Sequence, residues 1–164
     1  MRWYVPLPAA LPALHPAALI GTWFGVGCLR PLPGTFASLA ATLLAWPIMA
    51  SGGRAALLIA GAAAFLVGVW ASHVFARADG SGDPSSVVID EVAGQWLALV
   101  VVPYSVAGFA CGFLAFRLYD ILKPWPVDLA ERALSGGLGI MVDDLVAALY
   151  AALAVALLFY WLLP

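Results

Sequence analysis

The sequence predicts an all-α fold: a multi-pass membrane helical bundle of roughly five to six helices, some of them short or re-entrant. Three observations lead there. Apolar residues make up 65% of the 164 and charged residues only 10%, with a mean hydropathy of +1.03, far toward the membrane class. The apolar stretches are broken by proline, glycine and short polar turns rather than by period-two alternation. Backbone in lipid must satisfy its own hydrogen bonds, which favours helices over irregular chain.

Other bulk properties narrow the function. The length suits a single domain, 1–164, and no internal repeat or boundary is visible. A net charge of −2 offers no basic face for nucleic acid. Cys28 and Cys111 are far apart and lack metal-ligand spacing, so they read as small apolar residues without a disulfide. His15 and His73 make no zinc-type pair.

Taken in order, Pro6, Pro8, Pro12 and Pro16 break the N-terminal apolar run into a short or interfacial segment, with Trp3 and Tyr4 suited to headgroup level. Leu11–Cys28 is read as a helix dipping into the membrane. Arg30-Pro31-Leu32-Pro33-Gly34 ends it, and Thr35 is read as the N-cap of a helix over Phe36–Ala50. Ser51-Gly52-Gly53-Arg54 is a turn. Ala55–Arg77 is the best single span, long enough at ~1.5 Å per residue to cross a core of ~30 Å. Residues 78–86 form a polar loop. Further helices are expected over Val87–Val102, Val106–Leu122 and about Val142–Leu163, with a short surface helix over Asp128–Leu134. Small residues such as Gly61, Gly68, Ala147 and Ala151 permit close helix packing.

The few charges are concentrated. All nine acidic residues fall between Asp79 and Asp144. An up-and-down path brings Thr35, Arg77, Asp90, Glu91, Arg117, Asp120, Asp143 and Asp144 to one face. Arg30, Arg77, Arg117, Lys123 and Arg132 belong to that face and Arg54 to the other, so the positive-inside rule makes the convergent face cytoplasmic.

Each charged group also has a plainer reading. Asp90 and Glu91 open a helix, where one acid complements the helix dipole, but two adjacent acids exceed that need. One of Asp143 and Asp144 can be an N-cap, but not both. Arg117, Asp120 and Lys123 recur at three-residue spacing, which suits an intrahelical ion pair as well as a site. Together Asp90, Glu91, Asp120, Asp143 and Asp144 outnumber Arg77, Arg117 and Lys123, so an anionic substrate requires a cation among them. Hard oxygen donors suit Mg²⁺, Mn²⁺ or Ca²⁺. A carboxylate-held divalent ion beside arginine and lysine is the apparatus of phosphoryl chemistry.

Four stretches carry a family resemblance. They are Gly25-Val26-Gly27 through Pro33-Gly34-Thr35-Phe36-Ala37-Ser38-Leu39, Asp83 through Trp96, Phe116 through Pro126, and Gly136 through Ala147. In this order and over nearly the whole chain, they resemble the phosphatidylglycerophosphatase A family. Ala37 and Ala148 stand where that family often has glycine.

The resemblance implies a Mg²⁺-dependent enzyme of the bacterial inner membrane, its active site facing the cytoplasm. It would remove the terminal phosphate of phosphatidylglycerophosphate to give phosphatidylglycerol. On this reading Asp90, Glu91, Asp143 and Asp144 hold Mg²⁺. Gly34, Thr35, Ser38, Arg117 and Lys123 bind the substrate phosphate, and Asp120 acts as the base that positions water or as a further metal ligand. The D-x-D-x-T and S-R-x₅-H motifs of other phosphatases are missing, which favours metal-activated water. Rival readings are a cation-coupled small membrane transporter and a non-catalytic membrane scaffold. Acids at helix ends rather than at midplane, and the lack of repeat symmetry, argue against transport.

Overall fold

In a computed structural model, residues 3–125 and 134–162 are described. The expected surface helix over Asp128–Leu134 falls almost wholly outside them, as does Arg132. The elements are α1 (Pro16–Gly21), a 3₁₀ turn (Val26–Cys28), α2 (Pro33–Asp79), α3 (Ile89–Leu99), α4 (Val106–Leu122) and α5 (Gly137–Leu162). Among the described residues there is no strand beyond one isolated bridge between Tyr4 and Leu29.

The expected pair of helices joined at residues 51–54 is one 47-residue element with a single non-helical residue inside, Gly53 (φ 65°, ψ −161°). Glycine alone reaches that conformation cheaply, and the chain turns back there. Both limbs reach the same turn of α3. Trp96 Nε1 donates to Ala41 O at 2.8 Å, and Gly61 lies against Leu97. Nearer the start of α3, Gly34 meets Glu91 and Gly68 meets Ile89. Arg54, just past the reversal, donates to Val102 O at 3.5 Å at the opposite end. Helices α3 and α4 run antiparallel, with Gly112 against Leu99 and Gly94 against Phe116.

Three expectations are corrected. Leu11–Cys28 is not one helix. Only Pro16–Gly21 is α-helical, and the chain then takes left-handed conformations at Trp23, Phe24 and Gly25. The N-terminal segment straps back over the bundle, with Val5 N donating to Cys28 O and Arg30 N to Trp3 O. Thr35 is not an N-cap. Pro33 occupies the first helical position, where its missing N–H costs nothing, and Leu32 precedes it without a side-chain cap. The last helix begins at Gly137, five residues before the expected start, so Asp143 and Asp144 stand inside it and cap nothing. By contrast, Val106–Leu122 is observed with the expected bounds, capped by Ser105 accepting from Gly108 N at 3.1 Å.

Two of these helices, α2 and Gly137–Trp161 of α5, are long and apolar enough to cross a membrane, and most of their residues face outward rather than into the bundle. Leu43, Leu58, Ile59, Leu66, Leu114, Leu149 and Leu153 are exposed. A broad apolar exterior on packed helices suits a lipid environment. The core is built from alanine, valine and glycine contacts, with Phe75, Phe116, Leu57 and Leu99 fully buried.

Candidate active site

The acids lie where the ends of several elements meet. Helix α3 begins with Ile89-Asp90-Glu91, which sets both carboxylates in its first turn. Helix α4 ends at Leu122 and delivers Arg117 and Asp120 one turn apart. Lys123 then takes a left-handed conformation (φ 40°, ψ 59°) and stops the helix. Helix α5 brings Asp143 and Asp144 in its second turn. Gly137 makes this approach possible. A Cβ there would lie 1.9 Å from Val69 O and 2.7 Å from His73 N of α2.

Carboxylate oxygens of Asp90, Glu91 and Asp144 all lie within 4.8 Å of one another. Asp120 stands near Asp144, close enough for their carboxylates to repel each other. Asp144 is buried (3% exposed), and Asp90 and Glu91 are half-buried. A pair of charges 4.8 Å apart repels by about 3.5 kcal/mol at an effective dielectric of ~20. Three such pairs need protons or a cation to coexist.

The donor set fits a hard divalent ion. All three ligands are carboxylate oxygens, as Mg²⁺ or Ca²⁺ prefers. Ligands of an octahedral Mg²⁺ stand about 2.9 Å apart when adjacent and about 4.2 Å when opposed, so the three oxygens would draw inward around the ion. Glu91 Oε2 and Asp144 Oδ2 are buried without a hydrogen-bond partner, although buried polar atoms normally have one. Gly34 completes the cradle. A Cβ there would sit 2.0 Å from Glu91 Oε1, so only glycine lets α2 approach this carboxylate.

The cations are held by acids of the same cluster. Arg117 pairs with Asp120, and its Nη1 donates to Ser38 Oγ at 3.4 Å. Lys123 Nζ bonds Asp143 Oδ2 at 2.8 Å. A cavity of about 580 Å³ opens over the cluster. Of the residues expected in the site, Asp90, Glu91, Asp120, Lys123, Asp143 and Asp144 line it. Gly34 and Arg117 stand behind that wall, against Glu91 and Asp120 respectively, and Ser38 accepts from Arg117. Thr35 is half-buried in the first turn of α2 and does not line the cavity.

Sequence reasoning gave no site role to Arg30, Asp83 or Ser85, which also line the cavity. Asp83 and Ser85 were within reach, since they begin the stretch that leads to Asp90 and Glu91. Cys111 and Arg117 have the C-x₅-R spacing of cysteine phosphatases. Both lie in the uninterrupted helix α4, so about 9 Å of helix axis separates them. They cannot close the phosphate loop that such chemistry needs.

The family model for phosphatidylglycerophosphatase A matches residues 19–159. The chain belongs to the phosphatidylglycerophosphatase A family. It is 37% identical over 151 residues to phosphatidylglycerophosphatase A of Haemophilus influenzae, covering 92% of this chain and 93% of that protein. It is 35% identical over 146 residues to the Escherichia coli protein of the same name, covering 84% and 80%. A Bacteroides thetaiotaomicron protein whose name proposes a phosphatidylinositol-3-phosphatase is 36% identical over 160 residues, covering 91% and 94%. No solved structure matches the chain. The relatives bear out the family resemblance and make the chain a phosphatase. The transporter and scaffold readings fall with that.

Proposed function

We propose that this protein hydrolyses the terminal phosphomonoester of phosphatidylglycerophosphate, in a Mg²⁺-dependent reaction at the cytoplasmic face of the bacterial inner membrane. The observation that carries the proposal is the meeting of Asp90, Glu91 and Asp144 within 4.8 Å, in a cavity that also presents Lys123 and Arg30. The names of two relatives supply the substrate.

Asp90, Glu91 and Asp144 would hold Mg²⁺, with Asp143 beside them. Bound there, the ion would offset charge on the phosphoryl oxygens and lower the pKa of a coordinated water. Asp120 orients the attacking water and accepts its proton at a carboxylate oxygen, while its pairing with Arg117 fixes the direction of that oxygen. Lys123 draws the phosphate toward the cluster. Ser38, and the Gly34–Thr35 turn at the head of α2, support Arg117 and Glu91 from behind. The diacylglycerol tails stay in lipid against the apolar exterior of the bundle.

The orientation rests on charge. Arg30, Arg77, Arg117 and Lys123 lie at the site end and Arg54 at the Gly53 end, which suits a cytoplasmic site under the positive-inside rule. The reversal at Gly53, together with the length of α5, supports a multi-pass arrangement.

The test is phosphate release from phosphatidylglycerophosphate in detergent, with and without Mg²⁺. Wild type releases phosphate only with Mg²⁺, and Asp144→Asn reduces turnover on the order of a hundredfold. Metal-independent release, or wild-type turnover by Asp144→Asn, refutes the proposal.

A further inference from the structure

The cavity has a second cation whose setting differs from that of Lys123. Arg30 lies on the strap that leads into α2, half-buried, at the rim of the cavity. Its backbone is tied down by Arg30 N donating to Trp3 O at 3.1 Å. Its guanidinium is fixed from across the cavity mouth. Nη2 donates to Ser85 Oγ at 2.7 Å and Nη1 to Ser85 O at 3.5 Å. The strap approaches the 81–88 loop closely. Val88 N donates to Gly21 O at 2.8 Å, and a Cβ on Gly27 would lie 2.1 Å from Ser86 O.

Lys123 is bridged to Asp143 and Arg117 to Asp120. Among the described residues Arg30 has no carboxylate within ion-pair distance, and its guanidinium is held by Ser85. A guanidinium carries five N–H donors, so two bonds to Ser85 leave donors facing the cavity. The lining is otherwise strongly acidic, with Asp83 in addition to the metal-type cluster. A pre-oriented, acid-free arginine at the edge of such a cavity is a receptor for a second anionic group on the ligand.

The substrate of the proposed reaction has such a group. Besides the terminal phosphomonoester it carries a phosphodiester, one glycerol away, that joins the headgroup to the lipid. We infer that Arg30, braced by Ser85, binds the phosphodiester of the lipid while the phosphomonoester occupies the carboxylate cluster. Arg30 then determines specificity: it selects lipids that bear two phosphates and sets how deep the headgroup sits. This inference rests on the phosphatase reading above.

The test compares wild type, Arg30→Ala and Arg30→Lys in detergent micelles. Two inhibitors separate the subsites: phosphatidylglycerol has only the diester, and inorganic phosphate mimics only the reacting group. Arg30→Ala is expected to raise KM for phosphatidylglycerophosphate about tenfold or more, with a smaller change in kcat, as loss of a charge-assisted contact implies. It should weaken inhibition by phosphatidylglycerol to the same extent and leave inhibition by inorganic phosphate unchanged. Arg30→Lys should recover part of the loss, since it keeps the charge without the fork.

Inhibition by phosphatidylglycerol that is absent in wild type, or equal in wild type and Arg30→Ala, overturns the inference. So does a matching loss of inhibition by inorganic phosphate. Equilibrium binding of a short-chain phosphatidylglycerol needs no turnover and keeps the two readings apart. Binding lost in Arg30→Ala supports the diester contact by itself, whereas absence of phosphate release by wild type sinks only the phosphatase reading.

Discussion

Gly34→Ala gives the sharpest test of the site's construction, because it adds one methyl group and removes no functional atom. The new Cβ would lie 2.0 Å from Glu91 Oε1 and 2.9 Å from Glu91 Cδ. Ordinary carbon–oxygen contact needs about 3.3 Å, so the carboxylate must retreat by more than an ångström. The backbone need not move, since the clash is with the end of a flexible side chain. Alanine also has the better helix propensity, by up to ~1 kcal/mol in a helix interior and less in a first turn. The fold is therefore expected to be kept, while Glu91 leaves the cluster it shares with Asp90 and Asp144. Misplacement of a reacting group by ~1 Å costs on the order of a hundredfold in rate. The assay is phosphate release across a Mg²⁺ titration, paired with thermal melting in detergent. Gly82→Ala serves as control, because it lines the same cavity and its Cβ would meet nothing within 4 Å. Turnover by Gly34→Ala within about threefold of wild type, against that expectation, refutes the argument that this glycine exists to admit the Glu91 carboxylate.

Two further outcomes follow from the same geometry. Mg²⁺ at a hundred times its dissociation constant should stabilise the protein by about 2.7 kcal/mol, by mass action. The melting temperature in detergent should therefore rise on adding Mg²⁺ to wild type and stay flat in Asp90→Asn. An equal rise in both would place the ion elsewhere. Gly137→Ala drives a methyl into the backbone of α2 at Val69 and His73, where no side chain can yield. It should cost roughly 1–3 kcal/mol or more, read as a lower melting temperature, as overpacking does. An unchanged melting temperature would show that α5 can shift without penalty.

Much of this was legible in the residues. The bounds of α4 follow from Ser105 and the Lys123-Pro124 stop, which are local signals. The convergence of Asp90, Glu91, Asp120 and Asp144 followed from an up-and-down path and the placing of turns. Other features were not legible, because their causes are not local. Gly136-Gly137 lies ahead of the start expected at about Val142, because glycine is a poor helix former, yet Gly137 opens α5 and is its point of contact with α2. The run from Leu11 to Cys28 is apolar enough for one helix, yet hydropathy says nothing of the left-handed residues at Trp23 and Phe24, which tertiary packing imposes. The pairing of Lys123 with Asp143 and of Arg30 with Ser85 spans 20 and 55 residues, and no spacing rule reaches that far. Composition marked both cations, but only the fold distinguishes the one already engaged by an acid from the one held by serine.

Past the corner at Gly53 the far end of the molecule carries no carboxylate among the described residues: Arg54 is the one charged side chain there, among serine and aromatic groups such as Ser51, Tyr104 and Trp161. All the apparatus is on one side. If the bundle spans the bilayer as proposed, the direction in which the nascent chain threads into it works as a switch between an enzyme and an inert plug. A copy inserted upside down in a sealed vesicle would be silent to any lipid presented from outside, however well folded it was.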